Sequence, residues 1–208
     1  MADNEHLEHY FSDQLFTGDR PEIGEFNQIL APSLLVSMPT LNDPYFRKTV
    51  ILLCDYNAEH AYGMVINRPS TLQICDILAD ISQFKRDLEG PLLVGGPVSP
   101  EFLWALHTPD FFDHTTTRVD SCVSMSSVQE VLKSISEGVG PRKYMMGSGY
   151  AGWGPGQLDK EIKEGAWWMA PADPDLVLNV PYEDRWEIVL KSLGLDPLTT
   201  TFFTTGEA

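Results

Sequence analysis

Gly147-Ser148-Gly149-Tyr150-Ala151-Gly152-Trp153-Gly154-Pro155-Gly156-Gln157-Leu158 is the stretch on which the fold turns. Its first six residues satisfy G-x-G-x-x-G, and Lys143–Met146 in front of them reads as a short strand. Trp167–Ala170 would supply a following strand, and Asp173 an acid for a ribose. Taken as a dinucleotide fingerprint, the stretch would demand a doubly wound parallel sheet. Three features oppose that reading. Gly154, Pro155 and Gly156 keep a helix from starting where a pyrophosphate needs its N-terminus. The motif lies late in the chain, and no second mononucleotide-binding half follows it. The other reading is a wide loop. Five glycines in ten residues then supply positive φ or close backbone approach, and let Tyr150 and Trp153 pack. Pro155 would open the next helix. Such a loop can also serve as a ligand or partner surface.

Working outward, Gln157–Lys163 reads as a helix with Leu158 and Ile162 facing inward, and Trp167–Ala170 as a strand. Tyr182–Leu193 reads as a helix with Trp186, Val189, Leu190 and Leu193 on one stripe, stopped by Gly194. Upstream, Thr49–Cys54 is nearly all apolar, the pattern of a strand buried on both faces. Ala61–Asn67 follows as a second strand, and a turn at Asn57-Ala58 makes the pair a hairpin. Asn42-Asp43-Pro44 is a turn signal. Ser70 or Thr71 is expected to cap a helix carrying Leu72, Ile74, Ile77, Leu78 and Ile81. Leu92–Val94, Phe102–His107 and Val119–Met125 read as strands. Ser126 or Ser127 would cap a helix bearing Val128, Val131, Leu132 and Ile135, ended by Gly138 and Gly140. Strands and helices alternate irregularly around at least one hairpin. The expected class is therefore α/β of the α+β type: a mixed, largely antiparallel sheet with helices packed on its faces.

The 208 residues carry 14 Lys and Arg against 30 Asp and Glu, a net charge of −16. That balance opposes sequence-independent nucleic-acid binding, which rests on Lys and Arg at phosphates, and docking on an anionic membrane. The excess is uneven: residues 1–25 carry −6 and residues 159–208 another −6, leaving −4 for the 133 residues between. A locally neutral or basic site in the middle stays open, with Arg47, Lys48 and Arg68 there. Cys54, Cys75 and Cys122 form no C-x-x-C pair, and so few thiols suggest neither a zinc ribbon nor a disulfide framework. The acidic start lacks a basic and apolar leader, and no apolar run approaches the ~18 residues of a membrane span. A reduced, cytoplasmic protein is expected.

Individual side chains are ambiguous. Glu5-His6-Leu7-Glu8-His9 lacks the spacing of H-E-x-x-H, so no metal is expected. Arg68, at a strand end before Pro69, could hold a carboxylate or phosphate, or pair with an internal acid such as Asp43 or Glu161. His107 at a strand end reads as a hydrogen-bonded structural residue. Gly147-Ser148-Gly149 lacks the outer spacing of a nucleophile elbow. Cys54 ends an apolar run and reads as inert core. Cys122, on the face of its strand with Asp120 and Ser124, is the accessible thiol, with reactivity set by its pKa.

Three blocks together resemble the AlgH family of bacterial proteins, also called YqgE or UPF0301. The first is Leu41-x-Asp43-Pro44-x-Phe46-Arg47 with the hairpin end Gly63-Met64-Val65-Ile66-Asn67-Arg68-Pro69. The second is Val94-Gly95-Gly96-Pro97-Val98 with the later His107. The third joins Gly149-Tyr150-Ala151-Gly152-Trp153 to Gln157-Leu158-Asp159-x-Glu161-Ile162, with Trp167 after it. The resemblance spans roughly residues 28–195, with 28–208 expected as one AlgH-like domain. Residues 1–27 remain an acidic N-terminal arm. Such families often carry Glu-His after the first hairpin strand, where this chain reads Cys54-Asp55-Tyr56.

The resemblance implies an α/β sandwich in the cytoplasm with no established enzymatic activity and, in one branch, an association with transcriptional regulation. The matched residues expected to gather at one shallow apolar cleft are Asp43, Arg47, Asn67, Arg68, Gly95, Gly96, Pro97, His107, Tyr150, Gly152, Trp153, Gln157 and Glu161. No catalytic set, cofactor or metal is assigned. The first functional expectation is a non-enzymatic binding or regulatory module. Tyr150 and Trp153 would line a groove framed by Asn67, Arg68 and Gly95–Val98 and engage a protein or peptide. Direct nucleic-acid binding and membrane association are not expected, and the chain would be a monomer or weak oligomer. The alternative is a small-molecule hydrolase or transferase acting on an anionic substrate. Arg68 would then be the anchor, Glu161 or Asp43 the base and His107 the acid, provided they converge.

Overall fold

The computed structural model of the chain describes residues 31–77, 88 and 90–196. The acidic arm, its Glu5–His9 segment and the Thr-rich tail lie outside them, as does the second half of the helix expected over 72–81.

Among the described residues ten strands form one sheet. They are β1 (Ser33–Ser37), β2 (Val50–Tyr56), β3 (Ala61–Val65), β4 (Pro69–Gln73), β5 (Pro91–Val94), β6 (Val98–His107), β7 (Thr117–Arg118), β8 (Ser124–Ser126), β9 (Tyr144–Trp153) and β10 (Trp167–Pro171). The main path runs β10-β1-β2-β3-β9-β6-β8-β7, with β5 joined to both β4 and β9. Every pairing is antiparallel except β5 with β9. The helices are α1 (Ile74–Ile77), α2 (Val128–Glu137), α3 (Gln157–Lys163), α4 (Pro174–Leu178) and α5 (Arg185–Ser192). The sheet is thus mixed and largely antiparallel, as the irregular alternation of elements implied.

Period-two alternation sorts the apolar side chains onto two faces. Leu34, Val36, Val50, Leu52, Met64, Trp104, Leu106 and Met145 share a core with Leu176 and Val177 of α4 and Trp186, Val189 and Leu190 of α5. Their strand neighbours Leu35, Ile51, Leu53 and Val65 pack on the opposite face with Leu158 of α3. Ala105 and Met146 do the same further along with Val128, Val131 and Leu132 of α2. The all-apolar run in β2 therefore belongs to a strand covered on both sides.

The glycine-rich stretch is not a loop. β9 runs through it to Trp153, and only Gly154-Pro155-Gly156 turns, so Pro155 precedes the helix rather than opening it. Close approach explains Gly147 and Gly149. Trp104 is fully buried opposite Gly147 in the β6–β9 ladder, and its Nε1 donates to the Gly149 carbonyl at 2.7 Å. A Cβ on Gly147 would lie 2.2 Å from that indole, and one on Gly149 2.5 Å from Gly96 O. A Cβ on Gly96 would lie 2.2 Å from the Tyr150 backbone, where φ is already +150°. The two Gly-rich blocks thus meet backbone to backbone, with Gly95 N–H donating to Ser148 O at 2.8 Å.

Gly149, at φ +70°, also shifts the phase of β9. Met146 faces the α2 side, and strict alternation would put even-numbered residues there throughout. Beyond Gly149 it is Ala151 and Trp153 that join the α3 side. The facing strand is distorted too: Leu103 opposes Ser148 while Val98 opposes Tyr150, leaving residues 99–102 as an outward bulge.

Other expectations need correction. Residues 69–73 form a strand, and the helix begins only at Ile74, because β4 is held by pairing to β5. Val119–Met125 is not one strand. Asp120 Oδ1 accepts from the N–H groups of Cys122 and Val123, each at 2.6 Å, and turns the chain between β7 and β8. Cys122 is exposed in that turn, and Cys75 is exposed as well. Cys54 is half-buried against the core, and burial pushes its thiol pKa up to about 12. The helix expected over Tyr182–Leu193 starts at Arg185, and α4 ahead of it had no reading in the sequence. No described helix is long and apolar enough to cross a membrane.

Candidate binding cleft

The strand distortion opens an aromatic cleft of about 910 Å³ between β3, the β6 bulge and β9. Tyr62 and Met64 project from β3, where alternation places them on the face opposite Ala61 and Val65. Val98, Ser99, Glu101 and Phe102 come from the bulge, Tyr150, Gly152 and Trp153 from β9, and Met125 from β8. Tyr150 is the centre of an edge-to-face ladder. Its ring lies 6.2 Å from Tyr62 and 6.1 Å from Phe102, at 76° and 86°. Phe102 is 45% exposed. His60 stacks on Tyr62 at 6.3 Å, and its Nε2 lies 3.0 Å from Asp55 Oδ2. Burial raises the Tyr62 phenol pKa, with Cys54 and Asp55 adding to it.

Of the thirteen residues expected at one cleft, Tyr150, Gly152 and Trp153 line this one. The others fall into separate constellations. Trp153 itself is only 6% exposed. Its Nε1 donates to Glu161 Oε2 at 2.9 Å, and Trp167 Nε1 donates to the same oxygen at 2.8 Å. Gln157 Nε2 donates to Glu161 Oε1 at 2.9 Å while Gln157 Oε1 accepts from Gly154 N–H at 3.1 Å. One carboxylate therefore pins two indoles and the start of α3.

Asp43, Arg47, Asn67 and Arg68 form a second constellation at the ends of β2 and β3. Asp43 Oδ1 accepts from the N–H groups of Tyr45 and Phe46 at 2.7 and 3.0 Å. Asn67 accepts from Val50 N–H and donates to Lys48 O, both at 2.9 Å, extending the hairpin. Arg68 donates to the carbonyls of Pro44 and Arg47 at 3.2 Å and to Thr49 Oγ1 at 3.3 Å. The Arg68 guanidinium is thus engaged by two carbonyls and one hydroxyl rather than by a carboxylate. Burial lowers its pKa, against the pull of Asp43. Gly95 and Gly96 lie in the backbone crossing beneath Tyr150, with Pro97 exposed beside them.

His107 is fully buried in a third place. Its Nδ1–H donates to Thr108 O at 2.8 Å, leaving Nε2 to accept from Ser126 Oγ at 2.9 Å. Ser126 Oγ continues to Thr116 Oγ1 at 2.7 Å. Burial lowers the imidazole pKa. Among the described residues Arg68, Glu161 and His107 share no hydrogen-bond partner. Among the described residues no three His, Cys, Asp or Glu side chains gather as metal ligands.

The cleft residues that sequence reading missed are His60–Tyr62 and Met64 of the β3 side, Ser99, Glu101 and Phe102 of the bulge, and Met125. Alternation in β3 already set Tyr62 and Met64 on one face. The β6 bulge has one local mark, Pro100, which cannot donate to a strand ladder.

Comparison with known proteins extends the picture over most of the chain. A family model described as AlgH-like matches residues 34–198. A UPF0301 protein of Methylococcus capsulatus is 38% identical over 175 residues, covering 81% of this chain and 92% of the relative. One of Anaeromyxobacter dehalogenans is 37% identical over 177 residues, covering 81% and 90%. The solution structure of AlgH from Pseudomonas aeruginosa superposes with a TM-score of 0.65 at 33% identity, covering 87% of this chain and all of that one. A crystal structure of a Corynebacterium diphtheriae protein, at 22% identity and a TM-score of 0.68, shares the fold over 86% of this chain and 94% of its own. With both Gly-rich blocks and the hairpin end inside the matched span, this chain belongs to the AlgH-like, UPF0301 family.

Proposed function

We propose that this chain is a non-enzymatic binding module of the cytoplasm, whose cleft between β3, β6 and β9 engages a protein or peptide partner. Any effect on transcription passes through that partner rather than through DNA. The observation that carries the reading is the Tyr62–Tyr150–Phe102 ladder, which leaves a large aromatic ring 45% exposed beside an open cleft. Large rings that offer apolar area at little entropic cost are typical anchors for a partner. A net charge of −16 keeps duplex DNA away and favours a monomer or weak oligomer.

A photo-crosslinking residue at position 102, compared with one at Phe112 on the same full chain in cells, tests the reading. Phe112 is 73% exposed and lines no part of the cleft. A discrete protein adduct from position 102 that is absent from 112 is expected. Equal or absent adducts would overturn the proposal. Tight, salt-sensitive binding of duplex DNA in a fluorescence-anisotropy titration would overturn the part concerning transcription.

A further inference from the structure

The cleft has a charge as well as a shape. Resting on the reading of the cleft as a peptide site, we infer that its occupant is a basic segment of a partner, with Lys or Arg side chains alternating with apolar ones. Among the described residues no Lys or Arg lines the cleft. Its titratable lining groups are Glu101, which is exposed, His60 and the two tyrosines. His60 is held by Asp55, and Glu59 stands exposed beside it in the same turn. Acidic groups thus stand on the β3 side at Asp55 and Glu59, and on the β6 side at Glu101. Between them lie the rings of Tyr62, Tyr150 and Phe102 and the thioethers of Met64 and Met125. Ring faces attract ammonium and guanidinium groups, most where water is displaced, and methionine adapts to varied apolar side chains.

Charge also separates this occupant from two others. A second copy of the chain would bring −16 against the same acidic rim, and the chain's own residues 1–25 carry −6. Like charge disfavours both.

The test uses the full chain and three peptides with the same Leu and Phe positions and with Lys, Gln or Glu at the positions between. Binding is measured by calorimetry and by heteronuclear NMR of the cleft residues. The Lys peptide is expected to bind about tenfold more tightly than the Gln peptide, and the Glu peptide not at all. Glu101→Gln should weaken the Lys peptide about threefold. Glu137→Gln, at an exposed acid ending α2 outside the cleft, should leave it unchanged. Equal affinity for the Lys and Gln peptides would overturn the basic-segment inference while leaving peptide binding intact. Equal weakening by Glu101→Gln and Glu137→Gln would overturn it too, by showing only the general field of the molecule. Cleft resonances that shift with protein concentration alone would assign the site to a second copy. No peptide shifting the cleft resonances would overturn the peptide reading itself.

Discussion

At Gly147 a missing Cβ makes room for a buried indole. Placing a methyl 2.2 Å from the Trp104 ring forces either the ring or β9 to move, and neither has free space. Gly147→Ala is expected to lower stability by about 1–3 kcal/mol in urea unfolding, the usual range for overpacking. Trp104→Phe shortens the ring, so the double variant should lose less than the sum of the singles. Strict additivity would show that the indole is not what the glycine accommodates. His107 gives a second residue-scale prediction. Burial holds its imidazole pKa below the ordinary 6.5, with Thr108 O, Asp113 and Asp110 opposing the shift. Below pH 6.5 the unfolded chain binds a proton that the folded chain resists, so stability falls as pH drops through that point. The loss approaches about 1.4 kcal/mol per pH unit until the folded form titrates. Thermal melts between pH 7.5 and 5 should show this slope, and His107→Gln should be less stable at neutral pH yet flatter. A variant with the wild-type slope would remove His107 as its source.

At the scale of elements, local signals worked where the partner was local. Ser127 caps α2, accepting from Glu130 N–H at 3.3 Å, and Gly138 closes it at φ +80°. Both ends were legible because a cap and its helix are adjacent in sequence. Ser127→Ala should cost about 1 kcal/mol and leave the cleft residues unshifted in NMR spectra. An unchanged midpoint would mean that the orphan amides find other partners. The β2–β3 hairpin and α3 were legible for the same reason, whereas β10, paired with the distant β1, was legible from its own apolar run. The failures have distant causes. Ser70 and Thr71 look like caps in front of a helical stripe, but pairing with β5 holds 69–73 as a strand. Gly147 and Gly149 read as loop residues because their reasons, Trp104 and the Gly96 backbone, lie some fifty residues away in the chain. The cleft follows the same division: Tyr150 and Trp153 belong to a local motif, whereas Glu101 and Phe102 reach it through a bulge that Pro100 hints at and whose extent the β6–β9 register sets.

For the whole molecule, the charge that sets partner choice also opposes compactness. Net charge far from zero destabilises the folded state by self-repulsion, and salt screens that repulsion over a Debye length of about 8–10 Å. Salt would also weaken attractive pairs, but those in the described residues offer little to lose. Arg142–Asp110 at 2.8 Å, His60–Asp55 at 3.0 Å and Lys160–Glu164 at 3.8 Å join side chains that are largely exposed on at least one partner. The buried Arg185 is held by the Val180 and Ile66 carbonyls and the Tyr182 ring rather than by a carboxylate, so screening scarcely touches it. Repulsion should therefore dominate. The midpoint of thermal unfolding at pH 7.5 is expected to rise by a few degrees as sodium chloride increases from about 20 to 200 mM. Over the same range a basic peptide should leave the cleft more readily, because its attraction to Glu101 and the Asp55–Glu59 side is screened. A midpoint that falls with salt would mean that ion pairs outweigh repulsion in holding the fold. Opposite responses of stability and peptide affinity to one salt series would tie both to the acidic surface, with stability governed by its sum and binding by its local concentration at the cleft.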